Sequence, residues 1–271
     1  MKGDYRAEWY NYPEKQDKNQ MIDSLVVPRE AFSMVYFKGE AYIMGGVDSI
    51  TRKALKTVLA FNPKTNGLRN VSEMKESHAE HSSAVLNGAI YACGNKMPTC
   101  ERYQNDNWEY IADLVLGLTT LVTFQNNLYA IGGVSFAGTT LFLASTAVMK
   151  YSVEEDRWEE GSAPMQHKRR RPAAAELNGK LFVCGGGWST SFTPTCEQYD
   201  PAKKKWSKIS NVHGAHEGAK MFAYGDGLLI VDSCRGPDKP GVEVYDSKKD
   251  KWTMAPALKK TRCGPDAVIV P

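Results

Sequence analysis

Short apolar runs, each closed by turn residues, recur along the chain with a period of about fifty residues. Lys180-Leu181-Phe182-Val183-Cys184 runs into Gly185-Gly186. Tyr42-Ile43-Met44 and Tyr129-Ala130-Ile131 lead into Gly45-Gly46 and Gly132-Gly133 in the same way. A run of small and apolar residues precedes each, as in Ser82-Ser83-Ala84-Val85-Leu86, and Asn87-Gly88 or Asn178-Gly179 joins the two. Asn-Gly supplies the positive φ values of a two-residue hairpin turn. Runs this short, bounded by glycine and asparagine, predict antiparallel strands. After a variable loop comes an aromatic–Asp turn with a tryptophan further on, as in Tyr199-Asp200-Pro201 with Trp206 and Tyr245-Asp246 with Trp252.

The register holds along the whole chain. Trp108, Trp158, Trp206 and Trp252 form one column, with Leu68 and Asn19 in its degenerate copies. Tyr12, Phe61, Tyr103, Tyr151, Tyr199 and Tyr245 form another, and Gly45, Gly94, Gly132, Gly185 and Asp232 a third. Each copy reads as strands a to d. Glycine after strand b permits close backbone approach, and the large rings are expected to pack between neighbouring copies. A period of this length built of strands predicts a β-propeller. Complete blades are expected at about 31–74, 79–114, 117–165, 172–212 and 217–258. Residues 7–25 align as strands c and d, and 265–270 as strand a. The expected architecture is therefore all-β, one propeller over 1–271, with six blades and the first split between the termini. Strand b of that blade has no counterpart, which reads as a fragment cut inside its first blade. A five-bladed ring with irregular tails is the alternative.

The paired glycines, the Tyr/Asp/Pro turn and the spaced tryptophan resemble the kelch family over nearly the whole chain, and Pro28-Arg29 adds a further family element. The resemblance is to the substrate-binding propeller of BTB–kelch proteins. It implies a module that presents a target for ubiquitylation while upstream BTB and BACK domains hold a cullin scaffold. Some kelch repeats bind actin, so the resemblance also allows a cytoskeletal scaffold, with Lys203–Lys205 and Lys248–Lys251 as the contact.

Composition narrows this further. No apolar run approaches the ~18 residues of a membrane span, and the charged N-terminus is unlike a signal peptide. A cytoplasmic protein without membrane contact is expected. The six cysteines at 93, 100, 184, 196, 234 and 263 form no C-x-x-C pair. Cys100 and Cys196 sit in matching Pro-Thr-Cys-Glu segments, which repeat identity explains, so reduced structural thiols are expected. Net charge is only +3 and basic residues form no continuous stripe, which argues against nucleic acid.

Function in a propeller sits on variable loops. The b–c and d–a loops emerge on one face and vary in length, whereas the a–b and c–d turns are short and uniform. Arg29, Arg52, Arg169, Arg170, Arg171, Arg235 and Arg262 give that face a basic character. Arginine pairs bidentately with carboxylates, so the expected partner is a protein segment that is acidic or carries Ser/Thr. Phe136, Phe142, Trp188 and Phe192 are candidate apolar anchors. His78, His167, His213 and His216 are candidate secondary donors. His78-Ala79-Glu80-His81 and His213-Gly214-Ala215-His216 have metal-like spacing, but each lacks a third protein ligand. No phosphate loop, nucleophile elbow or carboxylate dyad stands out, so no enzyme, cofactor or metal is expected, and a kelch-type propeller enzyme is the least favoured alternative.

Overall fold

The computed structural model of the chain describes residues 28–94, 98–135, 144–188, 191–214, 216–232, 241–255 and 267. They form five sheets of four antiparallel strands, each in the order a-b-c-d. The first blade is built of Ser33–Phe37, Glu40–Met44, Val58–Asn62 and Gly67–Val71. The second uses Ser82–Leu86, Ala89–Cys93, Cys100–Gln104 and Asn107–Ile111. The third uses Thr120–Phe124, Asn127–Ile131, Val148–Ser152 and Arg157–Glu160. The fourth uses Ala173–Leu177, Lys180–Cys184, Cys196–Asp200 and Lys205–Ile209, and the fifth Lys220–Tyr224, Gly227–Val231, Val242–Asp246 and Lys251–Met254.

Strand a is innermost. The a strands of consecutive blades pack against one another from the first blade to the fifth. All five surround a cavity of about 410 Å³, which Ala267 also lines. Strand a of the fifth blade shows no comparable packing against strand a of the first among the described residues. This is consistent with a six-bladed ring with a split blade, rather than a closed ring of five. The segments 7–25 and 265–270 expected to form that blade, and its unmatched strand b, lie outside the described residues apart from Ala267.

The repeated aromatics form the seams between blades. Tyr103 stacks on Trp108 within its own blade at 5.2 Å and meets Tyr42 of the first blade at 5.7 Å. Tyr91 meets Tyr151, and Phe182 meets Tyr245, across later seams. Each tryptophan also donates its indole N–H to the end of the preceding blade's outer strand: Trp108 to Ser72 O at 2.9 Å, Trp158 to Ala112 O at 3.0 Å, Trp206 to Ala163 O at 2.8 Å and Trp252 to Ser210 O at 3.1 Å. A ring of this size buries enough apolar area to contribute on the order of 3–5 kcal/mol. The single hydrogen bond adds about 1 kcal/mol. Packing therefore holds the seam, and the hydrogen bond fixes the angle between blades.

The cysteines correct one expectation. Cys93 and Cys100 are joined as a disulfide, and so are Cys184 and Cys196, each pair with Cα atoms 4.2 Å apart. They were expected as reduced thiols because spacing along the chain gives no pairing signal. The strand register supplies it: Cys93 lies directly opposite Cys100, and Cys184 opposite Cys196, on adjacent strands b and c.

The glycine column marks where blades touch. A Cβ on Gly45, Gly132 or Gly185 would stand 2.3, 2.4 or 2.4 Å from the backbone oxygen of His78, Arg169 or His216. Each of these three glycines also has a positive φ. Gly185→Ala is therefore expected to destabilise the protein by roughly 3 kcal/mol or more. Gly179→Ala, in an open hairpin turn with φ +71° and nothing near its Cβ, should cost only about 1–2 kcal/mol. Denaturant unfolding of the two variants checks the difference.

Candidate interaction site

The d–a turns enter each blade beside the channel, and one position in each turn faces into the protein. Counted four residues before strand a, that column reads Arg29, His78, Leu116, Arg169 and His216. The second residue of strand c forms the matching column: Leu59, Glu101, Met149, Glu197 and Glu243. The three glutamates are fully buried. His78 Nε2 bonds Glu101 at 3.0 Å. Arg169 donates to Glu197 from Nε at 3.2 Å and Nη2 at 3.0 Å. His216 Nε2 bonds Glu243 at 2.7 Å while its Nδ1 bonds Asp232 at 2.9 Å. The same glutamates accept backbone N–H groups of the incoming turn, from Lys75 and Glu76, from Gln166 and His167, and from His213 and Gly214.

Each of these turn residues also grips the blade before it. The backbone oxygens of His78, Arg169 and His216 accept the N–H of Gly46, Gly133 and Gly186 at 2.7, 2.8 and 2.7 Å. The second glycine of the pair provides that donor while the first lets the turn come close. Arg29 repeats the arrangement of Arg169 without a carboxylate, since Leu59 stands where Glu197 does. Its Nη1 donates to Gly45 O and Thr57 O, and its Nη2 to Thr57 Oγ1.

Four candidate recognition residues are thus corrected. Arg29, His78, Arg169 and His216 were expected on the partner-binding face, but they are 6%, 3%, 0% and 1% exposed. They hold blades together. Residue type and loop position could not separate them from their exposed neighbours. The signal that could have done so was the recurrence of glutamate after the first residue of strand c.

The other candidates are distributed as follows. Arg170 is half-buried and pairs with Glu217 at 2.9 Å; Arg171 lies 3.7 Å from Glu80 at the channel mouth. Arg52 is exposed and pairs with Glu30. His167 is partly exposed beside Glu197, and His213 is half-exposed with Nδ1 2.7 Å from Glu243. Phe192 is exposed, on a two-residue strand paired with Gly187–Trp188; the Trp188 side chain lies outside the described residues. Phe136, Phe142, Arg235 and Arg262 also lie outside them. Two exposed apolar residues on this face were missed: Ile50 stands alone among polar neighbours, and Val115 lies between Leu114 and Leu116, whose apolar run reads as buried.

Electrostatics follow from burial. Burial depresses the basicity of Arg169, an effect that Glu197 opposes. At His216 burial acts in the same direction, but hydrogen bonds to Asp232 and Glu243 outweigh it and raise the imidazole to about 9. Burial raises the Glu243 carboxyl, yet its bonds to His216 and to the His213 N–H bring it down to about 2. The histidine's contribution is complete below its unfolded value near 6.5 and is lost as pH rises through about 9. The glutamate's is complete above its unfolded value near 4.5 and is lost as pH falls through about 2. Wild-type protein should therefore lose stability on the order of 2–3 kcal/mol between pH 6.5 and pH 10 that His216→Gln does not lose. Denaturant midpoints of both proteins across that range check it.

The kelch motif matches residues 28–74 and 168–213, which cover the first and fourth blades with their entering turns. The chain is similar to Kelch-like protein 30 of Homo sapiens, 24% identical over 240 residues that cover 84% of this chain and 40% of that protein. Kelch repeat and BTB domain-containing protein 1 of cowpox virus is 27% identical over 200 residues, 71% of this chain and 35% of that one. Beta-scruin of Limulus polyphemus is 21% identical over 299 residues, 100% of this chain and 32% of its own. The chain thus spans only about a third to two fifths of the length of these relatives. Among solved structures, that of YjhT superposes with a TM-score of 0.75 at 16% identity, covering 94% of this chain and 93% of the other, a likeness of fold. The chain is a kelch-repeat β-propeller, distantly homologous to the BTB–kelch and kelch-like proteins.

Proposed function

We propose that this propeller is a non-catalytic recognition module that receives a protein segment on the face formed by its b–c and d–a loops. The observation that carries the reading is the chemistry left exposed there. Ile50, Val115 and Phe192, on three different blades or their entering turns, are 73%, 65% and 39% exposed. Apolar side chains presented on rigid loops suit the anchors of an interface. Basic groups stand among them: Arg52, Lys53, Lys75 and Lys168 are exposed and Arg171 partly so. This combination favours a segment with apolar anchors and acidic or hydroxyl-bearing side chains. Most histidines and buried acids of the face already serve structural pairs, which supports recognition over catalysis.

Similarity to proteins named for a BTB domain supports a further step. In a longer chain of that kind, the propeller would hold a target while upstream domains engage a cullin scaffold for ubiquitylation. A second reading places a cytoskeletal partner such as actin on the c–d turns. It is favoured by Lys203, Lys204 and Lys205, exposed in succession on the fourth blade, and by Lys251, exposed on the fifth.

A photo-reactive residue placed at Val115, Phe192 or Lys204 separates the readings in cell lysate. The loop-face reading predicts the same cross-linked protein from Val115 and Phe192 and none from Lys204. Val115→Asp and Phe192→Asp should each lower its capture about tenfold. Cross-links from Lys204 alone would move the partner to the turn side.

A further inference from the structure

The two residues before strand a begin a second column, at the mouth of the channel. Ala31, Glu80, Leu118 and Arg171 have φ of 55°, 53°, 50° and 47°, and Gly218 has 76°. Four non-glycine residues at matching positions thus adopt the left-handed region, which L side chains disfavour. Strain of this kind collects where a site is held in shape. Backbone bonds join neighbouring turns: Glu80 N–H to Ala31 O at 2.7 Å, Arg171 N–H to Leu118 O at 2.7 Å and Gly218 N–H to Arg171 O at 2.8 Å. The strained turns form a collar.

Inside the collar is a cavity of about 50 Å³, lined in part by Glu80, His81, Thr119, Arg171 and Lys220. Its hydroxyls are committed elsewhere. Thr119 donates to Ile131 O at 3.1 Å, Thr120 donates to Pro172 O at 2.5 Å, and Ser82 Oγ accepts the Leu121 N–H at 2.8 Å. His81 differs. It is 5% exposed, and among the described residues neither of its ring nitrogens has a hydrogen-bond partner. A buried polar group without a partner is unfavourable, so a group that completes it is favoured. Two cations, Arg171 and Lys220, line the same cavity with one acid, Glu80, which lies 3.7 Å from Arg171.

We propose that the collar is a binding site for one carboxylate group, which His81 meets as a hydrogen-bond donor between Arg171 and Lys220. The cavity of about 50 Å³ has room for a carboxylate. The proposal rests on the loop-face reading and names the chemistry at its centre. His81 carries a second consequence. Burial, with His78 of its own turn and Lys220 of the fifth blade, holds its imidazole well below the ordinary value. The other charged groups at the cavity are Glu80 from its own turn and Arg171 from the fourth blade, and Glu101 stands behind His78. An anion seated against the ring favours its protonation, so binding takes up a proton and strengthens as pH falls.

Acetate and two end-capped peptides, one with a single Asp and one with Asn in its place, are titrated into ¹⁵N-histidine-labelled protein. The His81 ring resonances are followed from pH 5 to 8. The expected result is a saturable shift of His81 with a raised titration midpoint, at least tenfold weaker in Lys220→Gln and Arg171→Gln. A response to the Asp peptide well beyond that to acetate assigns the carboxylate to a protein segment; a response to acetate alone assigns it to a free monocarboxylate. No response to either, an equal response to chloride, or an equal response to the Asn peptide overturns the proposal. The loop-face cross-links fail or succeed independently, since Val115 and Phe192 do not line the cavity.

Discussion

One residue in each d–a turn carries the architecture. At His78, Arg169 and His216 the backbone oxygen is held by a glycine N–H of the preceding blade, and the side chain is held by a buried glutamate of the next. Together these bonds fix the path of the chain as it crosses from outer strand to inner strand. The turn would otherwise leave part-buried N–H groups without partners, and the glutamate accepts two of them. Ring packing supplies most of the stabilisation at each seam, but it is not directional enough to place a loop to within an ångström. The charged pair does that, and the loops it places are those that form the exposed face.

Two blades show how the constraint can be varied. In the third, Leu116 and Met149 replace the charged pair, an apolar contact in the same place. In the first, Arg29 keeps the arginine's bonds to backbone and threonine, with Leu59 at the glutamate's position. A buried ion pair commonly contributes little more than a well-packed apolar pair, whereas half of one is costly. The matched replacement at Leu116 and Met149 is what that balance predicts.

Most of the fold was legible in the sequence because its determinants are local and repeated. Asn87-Gly88 and Asn178-Gly179 adopt the positive φ values of hairpin turns. The glycine pairs and the tryptophans sit at seams because nothing else fits or fills them. The interaction face was legible only in outline. Arg169, Arg170 and Arg171 are consecutive in sequence, yet one is buried, one half-buried against Glu217 and one at the channel mouth. Charge along a loop does not encode which way each side chain turns; the partner glutamates decide it, and they lie 28 residues away for Arg169 and 47 for Arg170. The disulfides were hidden for the same reason, since Cys93 faces Cys100 only once strands b and c are in register.

The central claim is that the turn residue and the strand-c glutamate act as one unit. A double-mutant cycle on Arg169 and Glu197 tests it most directly, with Arg169→Leu and Glu197→Met copying the third blade. Each single change should destabilise the protein by about 3–5 kcal/mol by leaving a buried charge alone. The double variant should recover most of that loss, giving a coupling of at least about 2 kcal/mol. Additive losses, or single changes costing less than about 1 kcal/mol, would contradict the account.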